Sequence, residues 1–60
     1  MIANATIAVD GKELSFELDF STWRWAGPRD LPEGYFPLTA QVEGKRYELY
    51  SDGTFAEVEL

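Results

Sequence analysis

The side chains available for acid–base or nucleophilic chemistry are carboxylates, tyrosine and serine or threonine hydroxyls and lysine amines, because histidine and cysteine are both absent. Zinc and haem ligation therefore lack their usual donors. Two carboxylates, Glu48 and Glu57, are predicted to face each other across neighbouring strands, and paired carboxylates are the groups that glycoside hydrolysis uses. A flat strand surface in a chain of 60 residues leaves too little chain to wall a substrate pocket. We therefore predict no enzymatic activity, no catalytic residue, no metal site and no cofactor.

Acidic side chains offer a second kind of chemistry, since 11 Asp and Glu residues against five Lys and Arg residues give a net charge of −6. The strand pattern described below places this excess on outward positions. They are the acids Glu13, Glu17, Asp19, Glu43, Glu48, Glu57 and Glu59 and the base Arg46. Such a surface suits a partner protein that is basic, and the lack of a basic patch disfavours direct nucleic-acid binding. Rows of acids also imitate the charge of a nucleic-acid backbone. The alternative function is thus a small acidic inhibitor, of the anti-restriction or anti-CRISPR type, that blocks a nucleic-acid-binding protein.

Aromatic side chains form the third candidate surface, because residues 21–37 hold four of the nine aromatic residues and all three prolines. A segment of this length without regular structure is uncommon in a compact domain unless it is functional or disordered, and its aromatic content argues against disorder. We expect it to fold over the sheet, with one tryptophan buried and the other available to a partner. The lead interpretation is a non-catalytic protein-binding domain. Its predicted partner-binding residues are Trp23, Arg24, Trp25, Tyr35, Glu48, Tyr50, Phe55 and Glu57.

Glycine-centred turns and alternating segments must position these side chains. Asp10-Gly11 and Asp52-Gly53 are typical of two-residue type I′ hairpin turns, and Gly44-Lys45 suits a type II′ turn. Between the turns, the stretches LSFELDF and FPLTAQVE alternate apolar and other residues, which predicts half-buried strands.

Two residues in each turn define a register for three hairpins. The first pairs Ile7 with Leu14, Ala5 with Phe16 and Ala3 with Leu18. The second pairs Val42 with Tyr47 and Ala40 with Leu49. The third pairs Leu49 with Ala56 and Tyr47 with Val58. All these pairs bring apolar residues together on one face, and a slip of one residue would turn them outward. The same register puts Glu48 opposite Glu57 and pairs Tyr50 with Phe55 on the outer face.

The predicted fold is all-β, a single domain over residues 1–60 with five short antiparallel strands. A hairpin, a long loop and a three-stranded meander would form a small barrel or two packed sheets. The alternative is an α+β fold with one short helical turn in the loop, where Ser21 would cap the helix and Gly27 would end it. The stretch MIANATIAV lacks the basic start and long apolar run of a secretory signal, and no apolar run approaches membrane-spanning length. We therefore expect a soluble, cytoplasmic protein without membrane contact.

Overall fold

The computed structural model describes residues 1–28 and 30–59, which contain six strands and one 3₁₀ turn. The strands are β1 (Ile2–Val9), β2 (Lys12–Asp19), β3 (Arg24–Ala26), β4 (Leu38–Val42), β5 (Lys45–Leu49) and β6 (Phe55–Val58). They form two antiparallel three-stranded sheets, ordered β1-β2-β3 and β4-β5-β6. The all-β prediction with two sheets is confirmed, whereas the count of five strands was wrong, and the described residues form no closed barrel.

The first hairpin has the predicted register. Asp10 and Gly11 occupy the turn with φ of 51° and 76°, the positive values that a type I′ turn requires. The strands then pair Ile7 with Leu14, Ala5 with Phe16 and Ala3 with Leu18. Because these pairs face inward, Phe16 and Leu18 are fully buried.

Strand β3 lies inside the segment that was expected to be a long loop. Asp19 starts the preceding turn, because its Oδ1 accepts the backbone N–H of Ser21 (2.9 Å) and its carbonyl accepts the N–H of Trp23 (2.8 Å). The chain then returns along β2, where Leu18 pairs with Trp25. The alternative α+β fold, with a helical turn at residues 21–27, is therefore wrong. The 3₁₀ turn lies at Glu33–Tyr35 instead.

The turn between β4 and β5 is displaced by one residue from its predicted position. Glu43 and Gly44, with φ of 51° and 79°, replace the expected Gly44-Lys45 turn. Val42 therefore pairs with Lys45, and Ala40 pairs with Tyr47. Because the register moves by two residues, Ala40, Tyr47 and Leu49 still face the core.

The hairpin between β5 and β6 differs from the prediction by one residue, and this difference exchanges the faces of β6. The N–H of Gly53 donates to the Tyr50 carbonyl (3.0 Å), and the N–H of Tyr50 donates to the Thr54 carbonyl (2.8 Å). Three residues thus lie between the closing pair, and Gly53 has φ of 94°, as in a type I turn followed by a bulge.

This register overturns all four pairs predicted for this hairpin, which were Leu49–Ala56, Tyr47–Val58, Tyr50–Phe55 and Glu48–Glu57. Leu49 pairs with Phe55, so Phe55 enters the core instead of joining Tyr50 on the outer face. The predicted opposition of two acids is also wrong, since Glu48 pairs with Ala56, and Glu57 pairs with Tyr47.

The core lies between the two sheets and draws side chains from every strand. Its buried members are Ala5, Ile7, Val9, Phe16, Leu18, Trp25, Leu38, Ala40, Tyr47, Leu49 and Phe55. One backbone junction joins the sheets at an edge: Trp25 N–H donates to the Gly53 carbonyl (2.9 Å), and Phe55 N–H donates to the Trp23 carbonyl (3.1 Å). The junction brings the hairpin loop before β3 beside the loop before β6.

A substitution at Gly27 tests how tightly this core is packed. A Cβ added there would lie 2.6 Å from Cδ2 of Phe16, which is fully buried. We expect Gly27→Ala to lower the free energy of unfolding by about 1–3 kcal/mol, because the ring must shift within a filled core. Gly34→Ala is the matched control, since a Cβ there meets nothing within 4 Å. Equal urea midpoints for the two variants would contradict the described packing.

A substitution at Glu43 tests whether Glu43 and Gly44 form the turn between β4 and β5. Its φ of 51° suits Asn better than Glu, because Asn is enriched in left-handed backbone and Asn-Gly is a favoured type I′ pair. We expect Glu43→Asn to raise the free energy of unfolding by about 0.5 kcal/mol. Glu43→Gln removes the same charge without the backbone preference and should not match that gain. Thermal unfolding of both variants decides between the predicted and the observed turn.

Candidate functional site

Trp25 was predicted to bind a partner, but its indole belongs to the core and is only 3% exposed. The ring packs edge-on against Phe16, with centroids 5.5 Å apart, and stacks on Phe36 at 5.7 Å. Its Nε1–H donates to the Tyr50 carbonyl (2.8 Å). The polar atom of this large side chain is therefore satisfied inside the protein, as buried tryptophan requires.

Trp23 lies two residues earlier and is 43% exposed. Its φ of 59° is unusual for a bulky residue, and such a conformation costs roughly 1–3 kcal/mol unless the surroundings enforce it. Here, both backbone groups are bonded, the N–H to the Asp19 carbonyl and the carbonyl to the N–H of Phe55. The indole packs on the rings of Phe20 and Phe55, with ring centroids 5.6 Å and 5.1 Å apart. The remaining surface of the ring faces solvent in a defined position.

Other apolar side chains lie at the same end of the molecule. The Met1 carbonyl accepts the N–H of Phe20 (2.9 Å), and the terminal amine of Met1 donates to Ser21 Oγ (3.3 Å). Met1 is 75% exposed. Ile2 is 60% exposed, but it pairs with Asp19, so its side chain lies on the opposite face of the sheet from Phe20. We call Met1, Ile2, Phe20 and Trp23, which lie at one end of the first sheet, the Trp23 end.

Arg24, which was predicted to bind a partner, follows Trp23 and is exposed. It lies opposite Asp19 in the sheet and opposite Thr54 at the junction. Thr54 donates to Asp52 Oδ1 from its hydroxyl (2.7 Å) and its N–H (3.0 Å). These bonds, with a smaller contribution from the charge of Arg24, lower the pKa of Asp52.

The sequence predicted that Glu48, Tyr50 and Glu57 would share the outer face of the sheet, but the structure does not bring all three together. The Tyr50 hydroxyl donates to Glu48 Oε1 (3.2 Å), and partial desolvation together with this bond raises the pKa of Tyr50. Glu48 is half-buried, whereas Glu57 is exposed on the other face of the second sheet. Phe55, the remaining member of the predicted group, is 3% exposed.

Tyr35 lies at the opposite end of the molecule from Trp23. Its hydroxyl donates to Asp10 Oδ2 in the turn after β1, and this bond raises the pKa of Tyr35. The ring forms one wall of an open cleft of about 240 Å³ that Val9, Leu14 and Leu31 also line. The structure therefore separates Tyr35 from Trp23, although the sequence places both in one segment.

In residues 1–28 and 30–59, no group of three or more acidic side chains is arranged to hold a metal ion. Over the same residues, no helix has the length and apolar character needed to cross a membrane. No protein-family model, curated protein or solved structure matches this chain.

Sequence reasoning missed three members of the Trp23 end. Phe20 closes the alternating stretch of β2, and that pattern predicts a core position alone. Met1 and Ile2 precede the predicted pairs of the first hairpin, where the pattern indicates only the start of a strand. The available signal was the run Asp19-Phe20-Ser21, because an Asp side chain that accepts the N–H two residues later favours a local turn, here one that folds the chain back beside β2.

Single-tryptophan variants test the different positions of the two indoles. With Trp23→Phe, the remaining Trp25 should emit at shorter wavelength and resist acrylamide quenching, because it is buried. With Trp25→Phe, the remaining Trp23 should emit at longer wavelength and be quenched readily. Trp25→Phe should also lower the free energy of unfolding by about 1–3 kcal/mol through loss of its hydrogen bond and contacts, whereas Trp23→Phe should change it by about 0.5 kcal/mol or less. Equal quenching of the two proteins would contradict the assigned positions.

Proposed function

We propose that this chain is a non-catalytic protein-binding domain whose main anchor is Trp23. The observation that supports this proposal is the indole held outward by bonded, left-handed backbone and by contacts with Phe20 and Phe55. A ring that is ordered before binding loses little conformational entropy when a partner covers it. Tryptophan is also among the residues that most often carry interface binding energy.

The surroundings of Trp23 have the composition of an interface. Phe20 packs against the ring, the exposed Met1 is bonded to Phe20, and Arg24 and Asp19 provide charged groups nearby. An apolar centre with a polar rim is the usual arrangement in specific complexes. The partner we propose offers an apolar pocket for the indole.

Mimicry of nucleic acid remains the alternative proposal, and one observation favours it. Glu13, Glu17 and Asp19 lie on the outer face of β2, where alternate residues are roughly 6.6–6.8 Å apart along the strand. The acid pair on which the sequence-based version relied, Glu48 with Glu57, is not opposed in the sheet. An inhibitor of this kind would bind a basic protein through the β2 row.

Affinity capture from the source organism with matched variants tests the proposal. A specific partner should be retained by the wild-type protein and by Tyr35→Ala, which removes a similarly exposed ring at the other end. Trp23→Ala should weaken binding of the purified partner at least about 30-fold, as expected for a residue that contributes 2 kcal/mol or more. The affinity should depend only weakly on salt.

Two outcomes would contradict Trp23 anchoring. Loss of binding in Tyr35→Ala but not in Trp23→Ala would move the site to the opposite end. A steep fall of affinity with salt, with loss in the Glu13→Lys/Glu17→Lys variant and none in Trp23→Ala, would favour nucleic-acid mimicry. Each variant must first show wild-type circular dichroism.

A further inference from the structure

An open cleft lies beside the turn of the first hairpin, away from the Trp23 end. Its volume is about 240 Å³. One wall is the turn between β1 and β2, where Val9 pairs with Lys12. The other wall comes from a distant part of the chain and consists of Pro28, Asp30, Leu31 and Tyr35. Because pockets for drug-sized ligands measure about 300–1,000 Å³, this cleft suits a ligand of the size of one side chain.

The floor of the cleft is apolar and is held by the core. Val9 belongs to the buried core, and the half-buried side chains of Leu14 and Leu31 pack against that core. All three also line the cleft. An apolar stem that lies on this floor would be removed from water, which is favourable.

Tyr35 adds an aromatic wall in a defined position. Its N–H donates to the Pro32 carbonyl (3.1 Å) in the 3₁₀ turn, and its hydroxyl donates to Asp10 Oδ2 in the hairpin turn. The side chain is therefore attached to both walls of the cleft, yet it is 39% exposed. Since an aromatic ring attracts a cation placed over its face, Tyr35 favours a cationic ligand over a neutral one.

Carboxylates predominate among the charged groups of the cleft. Asp10 and Asp30 line it together with one base, Lys12, which gives two acids minus one base, a net charge of −1. Between described residues, no ion pair joins either carboxylate to a basic side chain. A cation in the cleft would therefore meet two carboxylates that are not yet neutralised, whereas an anion would be repelled.

A guanidinium group combines the properties that these walls select. It is planar, it is more weakly hydrated than an ammonium group, and it both stacks on aromatic rings and binds carboxylates through parallel hydrogen bonds. The alkyl stem of such a group can lie along apolar surface while the charged head stays at the boundary with water. An ammonium group would lose more hydration on entering the same cleft.

We propose that this cleft binds a guanidinium group on a short apolar stem, as in an arginine side chain. The stem lies on Val9, Leu14 and Leu31. The guanidinium group stacks on Tyr35 and donates to the carboxylates of the cleft. This site is separate from the Trp23 end and goes beyond the proposed function.

The test titrates butylguanidine into isotope-labelled protein. Butylurea has nearly the same shape without the charge and is the control. Butylguanidine should bind with a dissociation constant on the order of 1 mM, as expected for a ligand of so few atoms. It should shift the amide signals of Val9, Asp10, Lys12, Leu31 and Tyr35. Butylurea should bind at least about threefold more weakly, because it lacks the ion pairs and the attraction to the ring.

Charge variants show whether the cleft itself attracts the ligand. Asp10→Asn with Asp30→Asn should weaken binding about three- to tenfold, as expected for two exposed ion pairs. Because Asn-Gly is a favoured type I′ pair, this change keeps the hairpin turn. Glu17→Gln with Glu57→Gln removes the same charge from residues that do not line the cleft and should change the affinity less than about twofold. Lys12→Gln removes the repelling cation and should strengthen binding.

Ring variants and a second ligand pair complete the test. Tyr35→Leu should weaken binding about two- to fivefold, whereas Tyr35→Phe keeps the ring and should bind within about twofold of the wild type. Free arginine and N-acetyl-arginine methylamide distinguish two sources of the group. Tighter binding of the blocked form would indicate a side chain of a partner polypeptide, and tighter binding of free arginine would indicate a small metabolite.

Several results would overturn this inference. They are equal binding of butylguanidine and butylurea, shifts only in residues outside the cleft, or no binding at tens of millimolar ligand. An equal loss of affinity in the Asp10/Asp30 and Glu17/Glu57 variants would also overturn it, since the net charge of the protein alone would then explain the binding. Trp23→Ala should leave the affinity unchanged. Failure at the cleft is therefore distinguishable from failure of Trp23 as an anchor.

Discussion

Trp25 pairs with Leu18 in the first sheet, and its indole Nε1–H and backbone N–H donate to Tyr50 and Gly53 in the loop that leads to β6. The same ring packs on Phe16. One residue therefore contributes to a ladder, to the junction of the sheets and to the core. A chain of 60 residues without disulfides has few other means of holding two sheets together, because its core is small. The positions of the neighbouring loops depend on this arrangement.

The exposure of Trp23 follows from that constraint. Once the junction places Phe55 N–H on the Trp23 carbonyl, the hairpin loop is held beside β6, and the ring can pack on the core with one side only. The left-handed backbone at Trp23 is maintained by the same bonds. A small protein thereby holds an exposed indole between the bonded backbone and the rings of Phe20 and Phe55, and this arrangement is what supports the proposed role of Trp23 as an anchor.

Charge is distributed unequally over the first sheet. Acids occupy the outer face of β2, whereas β1 carries none. The Trp23 end lies where β1 begins, because Met1 bonds Phe20 and Ile2 is the first residue of β1.

The sequence by itself determined the all-β class, the Asp10-Gly11 hairpin and its register, because positive-φ turn residues and alternating side chains act locally. It could not locate β3, since three residues are too few to show a period, and their pairing depends on Asp19 and Gly53. The two-residue turn predicted at Asp52-Gly53 was wrong, because glycine suits both a two-residue turn and a three-residue turn with a bulge. Only the tertiary structure decided that choice. Turning Phe55 inward buries a ring against Phe20 and Tyr47, which Ala56 could not replace. The same register pairs Glu57 with Tyr47 and so moves it away from Glu48.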